Sequence, residues 1–213
     1  MTLTRDELAR LSELGVAPVY EASGREGLVD APLIQLVPGS RAAGPARTVL
    51  CGQDDNLMVH AVIEHIQRGD VLVLTMPEPQ PVALIGELLV TQVKVRGAAA
   101  ILVDAACRDV EELARLGLPI WTRYVRVKGT SKTKIGELEA TVTVGGTQIA
   151  PGDVIVLDAD GAVCIKHERA EQVLMAAEAR FEREAALREK LVAGQTSYDI
   201  HGLRDVVERN RRR

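Results

Sequence analysis

Aromatic residues are scarce in this sequence. It has one Trp, one Phe and three Tyr among 213 residues, so its core must be built from Val, Leu, Ile and Ala. So few rings offer no platform for stacking nucleic-acid bases, and a net charge of −4 disfavours binding to a phosphate backbone. The basic ending at residues 204–213 is interrupted by Asp205 and Glu208, which is typical of a solvated helix end. We therefore expect no nucleic-acid partner.

Long apolar runs are also lacking. No stretch approaches the roughly 18 apolar residues of a membrane span. Arg5, Asp6 and Glu7 stand where a signal peptide would need an apolar segment. These absences predict a cytoplasmic protein with no membrane partner.

Cysteine is rare and widely spaced. Cys51, Cys107 and Cys164 are odd in number and form no Cys-x-x-Cys pair, so neither a disulfide framework nor a zinc site is indicated. We interpret all three as small core residues.

What is present is a globular composition, with 46% apolar and 26% charged residues. Amphipathic helical segments alternate with short apolar runs typical of buried strands, which predicts an α/β fold over residues 1–213 as a single domain. The predicted helices cover residues 4–14, 54–67, 86–96, 110–116 and 167–192. The predicted strands cover residues 33–37, 47–51, 71–74, 98–103, 120–123, 139–144, 154–157 and 162–165.

The sharpest local motif is an adjacent cation and anion, Arg108 and Asp109, between a buried strand and a helix. Ligands of α/β proteins gather at the carboxyl ends of strands, so this pair is well placed to face a site. Arg can hold a carboxylate or an enolate oxygen, and Asp offers a hard oxygen ligand to Mg²⁺ or Mn²⁺. Taken alone, the pair fits better with a strand-end ion pair in which Asp109 caps the helix.

A second motif, Gly86-Glu87-Leu88-Leu89, opens a predicted helix. Unpaired N–H groups of a first helical turn bind anions, and a glycine permits close backbone approach. Glu87 could accept hydrogen bonds from metal-bound water, or could simply compensate the helix dipole.

A third motif places Asn56 and His60 four residues apart, on one face of a helix. His60 could donate a proton or orient a ligand. The alternatives are a structural histidine and a helix cap formed by Asn56 with Asp54 and Asp55.

These motifs occur in the order and spacing of a known family. Gly86-Glu87, twenty intervening residues and Arg108-Asp109 resemble the signature of class II pyruvate aldolases that act on 4-hydroxy-4-methyl-2-oxoglutarate and 4-carboxy-4-hydroxy-2-oxoadipate. The family also includes the regulator of ribonuclease activity A. The likeness continues through Gly129-Thr130 with Lys132 and through Pro151-Gly152-Asp153.

The resemblance implies an α/β/α swivelling-domain-like fold with a long C-terminal helix, residues 167–192, that packs on a neighbouring subunit of a homotrimer or homohexamer. It implies that Asp109 binds Mg²⁺ or Mn²⁺ and that Glu87 holds metal-bound water. Arg108 would contact the pyruvyl oxygen.

The same resemblance implies further site residues. The pyruvate carboxylate would be held at Gly86 by the amides of Leu88 and Leu89, with Asn56 and His60 also binding substrate. A further acid is expected from the C-terminal helix of a neighbouring subunit, assigned to Glu184 with Glu182 as the alternative.

The expected activity is cleavage of a 4-hydroxy-2-oxo acid to pyruvate and a second oxo acid, with oxaloacetate decarboxylation as a side activity through the same enolate. The alternative is a non-catalytic, protein-binding regulator of ribonuclease activity. A methyltransferase is disfavoured because no Gly-x-Gly loop follows a first strand. The Pro-rich segment 77–81 and the charged segment 131–139 depart from the family pattern, which leaves the distal substrate contacts open.

Overall fold

The computed structural model describes residues 3–211. Its helices and strands alternate through most of the chain, as predicted. The helices are α1 (Arg5–Leu14), α2 (Val16–Ala22), α3 (Leu57–Val62), α4 (Glu87–Arg96), α5 (Val110–Leu116), α6 (Ala170–Val192), α7 (Ser197–Ile200) and α8 (Leu203–Arg211). The strands are β1 (Ile34–Gln35), β2 (Ala42–Leu50), β3 (Val71–Thr75), β4 (Ala83–Ile85), β5 (Ala100–Cys107), β6 (Ile120–Val125), β7 (Glu137–Leu138), β8 (Val142–Val144), β9 (Thr147–Ile149), β10 (Val154–Asp158) and β11 (Gly161–Ile165).

One mixed sheet organises the molecule, with strand order β1-β6-β5-β3-β2-β10-β11. The central neighbours β2, β3, β5 and β6 run parallel, and β4 adds to β5 in parallel. The pairs β1–β6, β2–β10 and β10–β11 are antiparallel. Every residue of β3 and β5 is buried, as expected for parallel strands covered on both faces.

Three apolar clusters hold the layers together. One joins α3, α4 and α5 to the parallel strands, and a second fills the other face beneath the β8–β9 hairpin. The third packs α1, α2 and the start of α6 on β10 and β11. The predicted α/β class and long C-terminal helix are confirmed.

Several predicted boundaries were wrong. The helix predicted over 54–67 is only one and a half turns of α-helix, Leu57–Val62, followed by a 3-10 turn, Ile63–His65. The long helix begins at Ala170, because residues His167–Arg169 form a separate 3-10 turn. The elements α2, β4, β7, β9 and α7 were not predicted.

The predicted N-terminal helix was correct in its bounds and its cap. The Oγ1 atom of Thr4 accepts a hydrogen bond from the Glu7 N–H at 3.3 Å, and the Glu7 carboxylate accepts one from the Thr4 N–H at 2.7 Å. This is the reciprocal capping box that the sequence pattern indicates.

Candidate active site

A pocket of about 280 Å³ lies where β4 and β5 end and α4 and α5 begin. It contains most of the residues that the sequence motifs single out. Its lining residues are Asn56, His60, Ala83, Leu84, Ile85, Gly86, Leu88, Leu89, Arg108, Asp109, Gly129, Thr130 and Lys132.

The pairing of β4 with β5 brings the two halves of the main motif together. Ile85 is in register with Cys107, so Gly86 and Arg108 leave the ends of adjacent parallel strands. The Arg108 N–H also donates to the Ile85 carbonyl at 3.2 Å. The twenty residues between the two halves of the motif form most of α4 and all of β5.

Asp109 adopts a backbone conformation that is uncommon for a residue other than glycine. Its φ is 60° and its ψ is 40°, in the left-handed region, at the N-cap position of α5. Its side chain makes no capping bond to α5, so it does not act as a helix cap there. Instead, its Oδ2 accepts a hydrogen bond from the Glu87 N–H at 3.1 Å and lies 3.8 Å from Arg108 Nε. Strained residues of this kind often lie at functional sites.

Gly86 is required for the approach of this carboxylate. A Cβ atom at Gly86 would lie 2.3 Å from Asp109 Oδ2, well inside van der Waals contact. The glycine φ is −147°, which any residue can adopt, so the requirement is for space and not for backbone freedom.

The first turn of α4 presents unpaired N–H groups to the same pocket. The Glu87 amide is satisfied by Asp109, and the Val90 amide donates to the Gly86 carbonyl at 3.1 Å. Within residues 3–211, the amides of Leu88 and Leu89 have no protein acceptor. Both residues line the pocket, so this turn can bind an anion.

Asn56 and His60 reach the pocket from α3. Asn56 occupies the N-cap position, but its side chain makes no capping bond and Nδ2 donates to the Leu84 carbonyl at 3.0 Å. The first turn is capped by Asp55, whose Oδ1 accepts from the Leu57 N–H at 2.8 Å. His60 is exposed at the pocket edge. Asn56 therefore holds the segment before Gly86 in place.

The loop at residues 129–134 forms another part of the wall. Gly129, Thr130 and Lys132 line the pocket, although the residue-level motifs had not singled them out as site residues. Their only sequence signal was the resemblance. Gly129 backs the arginine, since a Cβ there would lie 3.2 Å from Arg108 Nη1.

Two of the expected acids are not among the residues that line this pocket. Glu87 is half-buried and contributes its backbone N–H to Asp109. Glu184 lies far along α6, where its Oε1 is 2.7 Å from Arg180 Nε. Glu182, the alternative, is exposed on the same helix.

The pocket suits a hard divalent cation that needs few protein ligands. The Asp109 side chain is 42% exposed, and within residues 3–211 its Oδ1 accepts no hydrogen bond. A carboxylate oxygen facing an open pocket fits Mg²⁺ or Mn²⁺, because such ions retain several waters and also bind substrate oxygens. Asp109 would hold the ion in such a site.

A second acidic group among residues 3–211 has ligand-like spacing but does not touch this pocket. Asp153, His167 and Glu168 place one ligand atom each within 4.8 Å of one another. However, Asp153 is buried, and its Oδ2 accepts from Lys166 Nζ at 2.7 Å and from the Ala150 N–H at 2.8 Å. These bonds are those of a structural ion pair.

The cysteine thiols are not suited to nucleophilic chemistry. Cys51, Cys107 and Cys164 are free and buried, which confirms their interpretation as core residues. Burial raises the pKa of each thiol to about 12, so none forms a thiolate near neutral pH.

The fold and the pocket together define an α/β protein with a polar pocket at the ends of parallel strands. The chain belongs to the RraA-like family, Aldolase/RraA, whose model matches residues 11–164. This confirms the resemblance drawn from the motifs. Among residues 3–211, no helix has both the length and the apolarity needed to cross a membrane.

Individual relatives agree with this assignment. A Halalkalibacterium halodurans protein with the provisional name 4-hydroxy-4-methyl-2-oxoglutarate aldolase is 36% identical over 137 residues, which are 64% of this chain and 65% of that protein. The alignment thus spans less than two thirds of the relative's length.

Solved structures share the fold over nearly the whole chain. Streptomyces coelicolor RraAS2, an unusual member of the RNase ES inhibitor RraA family, is 27% identical with a TM-score of 0.77, covering 88% of this chain and 98% of its own. An uncharacterized protein from Pseudomonas syringae pv. tomato has a TM-score of 0.81 at 22% identity, covering 92% of this chain and 96% of its own.

Proposed function

We propose that this protein is a divalent-metal-dependent pyruvate aldolase. The observation that carries the proposal is the convergence of Arg108, Asp109 and the free amides of Leu88 and Leu89 on one pocket. This set combines a metal ligand, a fixed cation and a carboxylate-binding helix N-terminus. The name of the H. halodurans relative supports the same class of reaction.

Substrate binding begins with its carboxylate. In this proposal the amides of Leu88 and Leu89 donate hydrogen bonds to the carboxylate of the 2-oxo acid, and the dipole of the ten-residue α4 adds a favourable field. Gly86 keeps this turn close to Asp109, so carboxylate and keto oxygen lie beside the metal ligand.

Charge stabilisation at the keto oxygen then drives C3–C4 cleavage. A Mg²⁺ or Mn²⁺ ion bound to Asp109 would supply Lewis-acid polarisation of that oxygen. Arg108 would place its guanidinium where negative charge grows on the oxygen, an effect worth about 3 kcal/mol in comparable sites. Loss of CO₂ from oxaloacetate develops the same charge, so decarboxylation is the expected side activity.

Cleavage also requires removal of the proton from the C4 hydroxyl. We assign this step to a water assisted by Glu184 of a neighbouring copy, with Glu182 as the alternative. Glu87 would hold water on the metal side. The substrates proposed are 4-hydroxy-4-methyl-2-oxoglutarate and 4-carboxy-4-hydroxy-2-oxoadipate.

The test is pyruvate release in a coupled lactate dehydrogenase assay. Both hydroxy-oxo acids and oxaloacetate are supplied with Mg²⁺, with Mn²⁺ and with EDTA. The variant Asp109→Ala should lose on the order of 100-fold or more in kcat/KM, because the metal ligand is gone. The matched control Glu111→Gln removes an exposed carboxylate from the first turn of α5 and should retain wild-type activity.

Absence of turnover of all three compounds by folded, metal-loaded protein would refute the aldolase proposal. That result would favour the second candidate, a protein-binding regulator of ribonuclease activity, which the likeness to S. coelicolor RraAS2 supports. A pull-down of ribonuclease E-type enzymes with wild type and Asp109→Ala would then test it, since such binding needs no metal ligand.

A further inference from the structure

Asp55 is a buried carboxylate outside the pocket that is bonded mainly to the pocket's loop. The residue is 0% exposed and lies one position before Asn56. Its Oδ2 accepts three hydrogen bonds from residues 131–134: the Ser131 hydroxyl at 2.6 Å, the Thr133 N–H at 2.7 Å and the Lys134 N–H at 3.1 Å. Only its Oδ1 serves its own helix.

The carboxylate must be ionised to play this part. Burial alone would raise the pKa of Asp55, but the hydrogen bonds from Ser131, Thr133, Leu57 and Lys134 outweigh it and hold the pKa well below its usual range. All four groups are donors, and a carboxylate is the side chain that accepts from all of them at once.

Backbone bonds complete the attachment of the loop. The Asn56 N–H donates to the Ser131 carbonyl at 3.0 Å, and the Ser131 N–H donates to the Asp54 carbonyl at 3.1 Å. Asp54 has a φ of 56°, so the backbone is locally strained next to the hydrogen bonds of Asp55. The loop is therefore fixed against the start of α3.

The fixed loop carries a cation that the protein itself leaves unpaired. Lys132 lines the pocket, and within residues 3–211 its ammonium forms no ion pair. Arg108 and Lys132 are both cations, whereas Asp109 is the pocket's acid. With a divalent ion on Asp109, the net positive charge of the pocket is larger than one substrate carboxylate can neutralise.

We propose that Asp55 is a positioning residue that holds Lys132 at the pocket, where its ammonium binds the second carboxylate of a dicarboxylic oxo acid. The inference rests on the proposed function, which places the first carboxylate of the substrate at the amides of Leu88 and Leu89. It assigns a protein partner to the second carboxylate that the proposed substrates already have.

The variant Asp55→Asn tests this with almost no change in shape. In Asn the NH₂ group replaces one carboxylate oxygen, so a donor faces at least one of the buried donors and that hydrogen bond is lost. The loss should release the loop. Ser131→Ala removes one of the three loop bonds and leaves the carboxylate with its other donors, so it remains informative if Asp55→Asn fails to fold. Asp54→Asn is the matched control, because Asn tolerates a positive φ.

Two readouts are required. The first is hydrogen exchange at Thr133 and Lys134, which should accelerate about 10-fold or more in Asp55→Asn and remain unchanged in Asp54→Asn. The second is steady-state kinetics with 4-hydroxy-4-methyl-2-oxoglutarate, which has two carboxylates and keeps both through C3–C4 cleavage, and with 4-hydroxy-2-oxopentanoate, which has one. Asp55→Asn should raise the KM for the dicarboxylate about 10-fold, with kcat and the KM for the monocarboxylate within about 3-fold.

The variant Lys132→Met removes the cation but leaves the hydrogen bonds between Asp55 and the loop in place. It should give the same selective rise in KM for 4-hydroxy-4-methyl-2-oxoglutarate while leaving exchange at Thr133 and Lys134 unchanged. Unchanged exchange in Asp55→Asn would overturn the proposal, and so would an equal rise in KM for both acids or a fall in kcat alone.

Failure of the proposed function would be distinguishable. If wild type turns over neither acid, calorimetric titration with 2-oxoglutarate and with pyruvate replaces the kinetics. Selective loss of 2-oxoglutarate binding in Asp55→Asn and Lys132→Met would uphold the positioning role without the aldolase. Equal affinity in wild type and both variants would overturn it.

Discussion

At the scale of single residues, the site depends on one close approach. Asp109 is held in a left-handed conformation with its Oδ2 against the first amide of α4, and only the missing side chain of Gly86 leaves room for it. The arrangement keeps the other carboxylate oxygen free for a ligand. Space at residue 86 therefore controls the geometry of the proposed metal ligand.

We predict that Gly86→Ala lowers kcat/KM about 100-fold and weakens the dependence on Mg²⁺, because the new methyl group must displace the Asp109 carboxylate. Thermal unfolding should shift little, since the φ of residue 86 suits alanine. Activity assays across a Mg²⁺ series, together with a melting curve, check both parts. Wild-type kinetics in a folded Gly86→Ala protein would contradict the role given to this contact.

Residue chemistry was also where the sequence was most informative. Side-chain chemistry made Arg108 and Asp109 candidates, because few side-chain types bind oxyanions and hard cations, and helix geometry made the turn at Gly86 a candidate anion site. The resemblance to the aldolase family then favoured these candidates over a strand-end ion pair. The role of Asp55 could not be predicted, since its three loop donors lie 76 to 79 positions away.

At the scale of elements, the short strand β4 decides where the site forms. It has three residues and follows the Pro-rich segment 77–81, so neither its length nor its composition signals a strand. Its existence depends on pairing with β5. Such context-dependent strands escape local pattern analysis, because the stabilising partner is distant in sequence.

The adjacent strands β5 and β6 share a buried ion pair. Arg123 Nε lies 2.5 Å from Asp104 Oδ1, and the Asp104 side chain is 2% exposed. Burial raises the pKa of Asp104, and the charge of Arg123 opposes that rise. Removal of the arginine would leave a buried carboxylate without a counter-charge.

We predict that Arg123→Met lowers the free energy of unfolding by about 3 kcal/mol at pH 8. Removal of the Arg123 charge raises the pKa of Asp104 further, so the folded variant binds the proton more tightly than the folded wild type, and the loss should shrink as the pH falls to 5. Arg115→Met, which removes two exposed ion pairs on α5, should cost less than about 1 kcal/mol. Urea unfolding at both pH values measures this, and an equal loss for both variants would contradict it.

At the scale of the whole molecule, the long helix α6 extends beyond the helices α1 and α2 on which it packs. Its buried residues, Ala170, Val173, Leu174 and Ala177, all lie in the first third, where it packs on α1 and α2. Farther along, Phe181 is 37% and Val192 is 82% exposed. A helix with this distribution can reach a second copy, as the proposed role of Glu184 requires.

We predict that mixed oligomers of Asp109→Ala and Glu184→Gln recover activity that neither variant shows alone. If each site combines Asp109 of one chain with Glu184 of another, random assembly restores about a quarter of the sites. Co-expression with two affinity tags, followed by the pyruvate assay, measures this. No recovery would place the acid elsewhere, and the pairing of Asp109→Ala with Glu182→Gln tests the alternative.

The sequence by itself determined the α/β class, the capped first helix and the aliphatic core, and its resemblance to the aldolase family singled out Arg108, Asp109 and the α4 turn. The first three follow from periodicity and side-chain chemistry, which act over a few residues. The tertiary structure alone decided that β4 pairs with β5, that Gly86 makes room for Asp109 and that Asp55 secures the loop of Lys132. Each of these is a contact between distant segments, and its free energy exists only once the chain has brought them together.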